Sequence, residues 1–129
     1  MKKYPFTISD DTNLIIVIAK INGYDVRLAL DTGASDTVID LTALLIAGYR
    51  KSNVLYEIEL ETAKGIIRAD VFQAKELKAL GLVKNNFNIC SYDFLANNIL
   101  TDIDGVLGLD FFMDKKICID LKKFEITIH

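Results

Sequence analysis

Residues 28–40 read Leu28-Ala29-Leu30-Asp31-Thr32-Gly33-Ala34-Ser35-Asp36-Thr37-Val38-Ile39-Asp40. An apolar run enters an acid, a hydroxyl and a glycine, and an apolar run leaves again. Apolar and β-branched residues on both sides mark strands, so the polar triplet falls at a tight turn between them. The same three residues suit an ordinary turn: Asp accepts backbone N–H groups, Thr adds a hydroxyl, and Gly goes where a side chain cannot. The tripeptide alone leaves both readings open, a plain turn or a presented carboxylate. The flanks favour the second, because surface turns are usually bordered by polar residues.

Strand signals extend outward in both directions. Leu14 to Ile21 is an apolar, β-branched run, Asn22-Gly23 is a strong two-residue hairpin signal, and Tyr24 to Leu30 returns. Beyond the triplet, Thr37 to Ile39 is short, and Asp40 is placed to cap a helix over Leu41 to Ala47 that Gly48 ends. Val54 to Leu60 alternates, with Glu57, Glu59 and Glu61 on one side and Ile58 and Leu60 on the other. Thr62-Ala63-Lys64-Gly65 supplies a turn, and Ile66 to Ala74 returns as a long hairpin. Lys75 to Leu80 is ambiguous: its composition favours helix, its surroundings strand. Asn86 to Tyr92 alternates again, and residues 94–104 read as irregular or briefly helical. Gly105-Val106-Leu107-Gly108 is a strand entering a turn, followed by a helical turn at Leu109 to Met113. Ile117 to Leu121 and Phe124 to Ile128 form a closing hairpin. The expectation is one all-β domain over residues 1–129 with one or two short helices.

Composition narrows the function. The chain has 129 residues, 51% hydrophobic, with a net charge of −3 and a pI near 5.1. Acids and bases are interspersed, so no basic face for nucleic acid is expected. The apolar run near the start is far short of the ~20 residues of a membrane span, and no signal peptide is apparent. A soluble, cytoplasmic chain with no membrane partner is the expectation. Cys90 and Cys118 sit in apolar contexts and read as buried, reduced thiols rather than a disulfide. The single histidine, His129, leaves no metal-ligand pattern, so neither metal nor cofactor is expected.

Three elements taken together carry more than any one of them. These are Leu30-Asp31-Thr32-Gly33-Ala34-Ser35, the hairpin around Thr62 to Gly65, and Gly105-Val106-Leu107-Gly108-Leu109-Asp110-Phe111-Phe112. In order and spacing the chain resembles the retropepsin-like aspartic proteases over roughly Leu14 to Ile128. That resemblance implies a closed β-barrel of the acid-protease type and an aspartic endopeptidase acting on peptide or protein substrates. It makes Asp31 the catalytic acid, with Thr32 bracing the loop and Gly33 admitting the close approach. Ala34, Ser35 and Asp36 would line the substrate cleft. The hairpin Val54 to Ala74 would be a lid that offers Ala63, Lys64 and Gly65 to the substrate. Some relatives carry an acid where Ser35 stands. Val106 to Gly108 would pack beneath the loop rather than touch substrate.

No second Asp-Thr-Gly or Asp-Ser-Gly occurs in the chain. In this family two chains pair so that the two acids meet, and a homodimer is therefore implied. Phe124 to Ile128 is a candidate interface strand. The contrasting expectation is a non-catalytic dimerisation or peptide-binding module that keeps the same fold.

Overall fold

The computed structural model describes residues 2–63 and 65–129. Its strands are β1 (Lys3–Pro5), β2 (Thr7–Ile8), β3 (Ile15–Ile21), β4 (Tyr24–Leu30), β5 (Val38–Ile39), β6 (Tyr56–Thr62), β7 (Gly65–Ala79), β8 (Leu82–Ser91), β9 (Gly105–Leu107), β10 (Ile117–Asp120) and β11 (Glu125–Ile128). Helix α1 spans Leu41–Ile46, and 3-10 turns occupy Lys51–Asn53 and Leu109–Phe112. The architecture is all-β, as the alternating patterns imply.

The larger sheet runs β2-β3-β4-β9-β5-β8-β7-β6, and β3 also pairs with β7. That extra pairing, Lys20 with Lys78 and Ile21 with Leu77, closes a ring through β3, β4, β9, β5, β8 and β7. Inside it Ile21, Leu28, Phe72, Leu77, Leu107 and Phe111 are fully buried. Each such side chain contributes about 1.5–3 kcal/mol relative to exposure.

The hairpin at Asn22-Gly23 forms as read. Both residues have positive φ, 49° and 85°, which suits the twist of a two-residue β-turn. The Asn22 side chain also donates to the Tyr49 hydroxyl at 2.9 Å and accepts from the Glu76 amide at 3.2 Å, tying the turn to β7. Lys75 to Leu80 resolves as strand up to Ala79. Leu77 and Ala79 point inward and Lys75 and Lys78 outward, so tertiary pairing overrides helical propensity.

One other expectation changes, and the chain termini add pairing that the sequence did not suggest. The Asp40 carboxylate does not cap α1; it accepts the Phe94 amide at 3.0 Å, which fixes the start of the 94–104 loop instead. The final strand is no free edge. β11 is the centre of a three-stranded sheet, with β1 on one side and β10 on the other. Lys3, Tyr4 and Pro5 pair with Thr127, Ile126 and Glu125. Phe6 is buried and packs edge-on against Phe124, with ring centroids 5.8 Å apart. Residues 3–8 are thus woven into both sheets, two short strands that their brevity hid from pattern reading. Cys90 is buried and Cys118 partly so, both as free thiols. Among the described residues no helix is long and apolar enough to cross a membrane.

Candidate active site

Asp31 follows the last residue of β4, and β5 begins seven residues after it. Between these two strands runs β9, parallel to β4 and antiparallel to β5. The loop carrying Asp31 is therefore held from below by a strand far away in sequence. The Asp31 amide donates to the Leu107 carbonyl at 3.1 Å, and the Ala34 amide closes the turn on the Asp31 carbonyl at 3.2 Å. The Gly33 amide donates to Asp31 Oδ1 at 2.8 Å. A Cβ on Gly33 would lie 3.1 Å from that same oxygen, so glycine lets the amide reach the carboxylate without crowding it.

The far side of the loop is fastened by residues 108–110. Leu109 and Asp110 amides donate to the carbonyls of Ala34 and Ser35 at 2.9 and 3.1 Å. The Asp110 carboxylate accepts the Thr37 amide at 3.0 Å and the Thr37 hydroxyl at 2.7 Å. That hydroxyl in turn accepts the Gly108 amide at 3.1 Å. Gly108 passes so close that a Cβ would sit 2.7 Å from the Asp36 backbone carbonyl. Burial pushes the Asp110 carboxyl above its ordinary value, the Thr37 bonds pull it back in part, and the nearby Asp36 charge adds to the rise.

The loop faces the tip of the β6–β7 hairpin across a cleft of about 360 Å³. Asp31, Gly33, Ala34, Ser35 and Asp36 line it from the loop, and Leu60, Glu61, Thr62 and Ala63 from the hairpin. Val38, Tyr92 and Val106 complete the walls. Beneath these, Cys90 packs with Val38, Val71 and Phe94. Burial raises its thiol to about 11, with Asp36 and Asp110 adding to the shift. Burial also raises the Tyr92 phenol, helped by Asp40.

The structure thus brings Asp31, Gly33, Ala34, Ser35, Asp36 and Ala63 to one cleft. Thr32 is exposed, and its hydroxyl makes no hydrogen bond to a described residue. Gly65 opens β7 outside the cleft lining, where its carbonyl accepts the Thr62 hydroxyl at 2.8 Å. Lys64 lies outside the described residues. Val106 lines the cleft, so β9 supports the loop and also contributes to the cleft wall. Sequence reasoning missed Thr37 and Asp110. An acid set among Leu109, Phe111 and Phe112 was the available signal, since a buried carboxylate needs donors. Among the described residues no group of three or more His, Cys, Asp or Glu is placed to hold a metal ion.

A family model described as aspartyl protease matches residues 17–111. A crystal structure of a retropepsin-like aspartic protease from Rickettsia conorii superposes with a TM-score of 0.72 at 21% identity. The superposition covers 99% of this chain and 91% of that one. At that identity the likeness speaks to the fold alone. No curated protein matches the chain.

Proposed function

Because the chain belongs to the aspartyl protease family, we propose that it is a homodimeric endopeptidase in which Asp31 of each subunit forms one catalytic dyad. The observation that carries this reading is the placement of Asp31: its carboxylate held by the Gly33 amide, exposed, and facing a hairpin tip across a cleft. One chain offers one such acid, and an exposed loop is free to meet its copy across a two-fold axis.

Two carboxylates at hydrogen-bond distance cannot both ionise, so the pair holds one proton over a wide pH range. The ionised member takes a proton from a water as that water attacks the peptide carbonyl. The protonated member donates to the carbonyl oxygen, and a proton then passes to the leaving amine. The Gly33 amide fixes the carboxylate oxygen for this work, and Thr32, whose hydroxyl has no hydrogen-bond partner among the described residues, braces the loop against the second copy. Ala34, Ser35 and Asp36 take the substrate backbone on the loop side. Ala63, with Lys64 and Gly65 beside it, closes from above and excludes water.

The test is turnover of a diverse peptide library between about pH 4 and 7, with sedimentation velocity on the same samples. Activity should follow the dimer concentration and disappear in Asp31→Asn. A dimer silent towards every peptide would favour the non-catalytic binding module. Turnover that survives Asp31→Asn would remove the mechanism.

A further inference from the structure

The cleft carries charge that the reaction does not use. Its described lining holds three carboxylates, Asp31, Asp36 and Glu61, and no basic residue. Asp31 belongs to the chemistry; the other two stand on opposing walls, one on the loop and one on the hairpin. Both are exposed, and neither has an ion-pair partner among the described residues. Among the described residues the one hydrogen bond to the Asp36 carboxylate is a long one, from the Ser35 hydroxyl at 3.4 Å. On the same face of β6, Glu57 is paired with Arg68 at 2.8 Å, so that cation serves the base of the hairpin and not Glu61 near its tip.

Two further observations identify what these acids face. They are not gathered for a metal ion, since no group of three or more acidic, His or Cys ligands comes together among the described residues. They share the cleft lining with the apolar side chains of Val38, Leu60 and Val106 and the ring of Tyr92. In an extended peptide successive side chains point to opposite sides. A substrate that seats an apolar side chain on this surface therefore sends its neighbours towards the walls. The field of Asp36 is felt even beneath the loop, where it helps raise the Cys90 thiol and the Asp110 carboxyl.

We infer that the cleft selects extended peptides bearing Lys or Arg beside an apolar residue, with Asp36 and Glu61 as the specificity-determining side chains. The inference takes its setting from the protease reading, but binding can test it without turnover. Peptides with a central Leu-Phe pair, flanked by Arg, Gln or Glu and otherwise identical, are titrated against the full-length Asp31→Asn protein by fluorescence anisotropy. The same peptides are offered to the unmodified protein for turnover.

The Arg peptide should bind about three- to tenfold tighter than the Gln peptide, and the Glu peptide should bind weakest. The order should compress between about 50 and 500 mM salt as the charges are screened. Adding Glu61→Gln should shrink the Arg:Gln ratio, and adding Glu61→Lys should shift preference towards the Glu peptide. Equal binding of all three peptides, no binding, or a preference unchanged when Glu61→Gln and Asp36→Asn are combined would overturn the inference. Cleavage without preference would overturn it while leaving the protease standing. Preferential binding without any cleavage would support it and count against the protease.

Discussion

Replacing Asp110 by alanine tests the fastening of the acid loop. Thr37 is fully buried, and its amide and hydroxyl both donate to the Asp110 carboxylate. Alanine leaves two buried donors without an acceptor, each costing about 1–3 kcal/mol. Relief of the buried carboxylate returns part of that, so the net loss should be about 2–4 kcal/mol. Urea unfolding at one fixed protein concentration reads this as a lower midpoint with an unchanged slope. Asp110→Asn keeps one acceptor and should lose about 1 kcal/mol.

The pH dependence has a definite sign. The folded carboxyl titrates above the 3.8 of a free aspartate because burial dominates. Its contribution to stability is then greatest below that value and falls as pH rises through the raised one. Asparagine does not titrate, so the gap between the natural protein and Asp110→Asn should be widest near pH 3.5 and narrow towards about pH 7. An alanine variant within about 0.5 kcal/mol of the natural protein would refute the bonding argument. A gap that widens as pH rises would refute burial as the dominant cause. Peptide turnover should fall by about 10- to 100-fold in the alanine variant, since the loop that aims Asp31 loses its far anchor.

Gly108→Ala should destabilise by about 1–3 kcal/mol in the same urea assay, because its Cβ would meet backbone of Asp36 rather than a side chain that can move. Leu77→Ala, at a fully buried site in the barrel, should lose about 2–5 kcal/mol with no specific effect on peptide preference. Cys90, buried and with its thiol raised to about 11, should resist alkylation at pH 8 while the partly buried Cys118 reacts. Intact-mass measurement over time would show a single adduct, and two adducts at equal rates would contradict the burial of Cys90.

The acid loop and its strands were legible because they depend on local pattern. Asn22-Gly23 and the alternation of residues 56–60 are short-range signals, and each produced the element it implied. The cleft was legible only in part. Ala63 and Asp31 face each other because β6 and β7 bring the hairpin tip over the loop, and no local pattern records that arrangement. Val106 reaches the cleft through its register with Val38, a pairing across more than sixty residues. Asp40 took a distant amide instead of capping its helix, because the 94–104 loop offered a donor that the helix sequence cannot reveal. β1 and β2 escaped notice because strands of three and two residues are too short to show a period. β1 is what covers the edge of β11 that β10 leaves open.

The threading of β9 between β4 and β5 also sets an order in time. Among the described residues, the long-range bonds to Asp31, Ala34 and Ser35 come from residues 107–110, and Thr37 is held by Gly108, Asp110 and Cys90. During synthesis the amino-terminal three-quarters of the chain can therefore pair β3 with β4, yet lacks residues 107–110, which fasten Asp31, Ala34 and Ser35. The site is assembled late, at the cost of closing a loop of some seventy residues, a slow step for a chain of this topology. A nascent chain is in this way kept from carrying a fully fastened acid loop, and a fragment ending before β9 cannot acquire one.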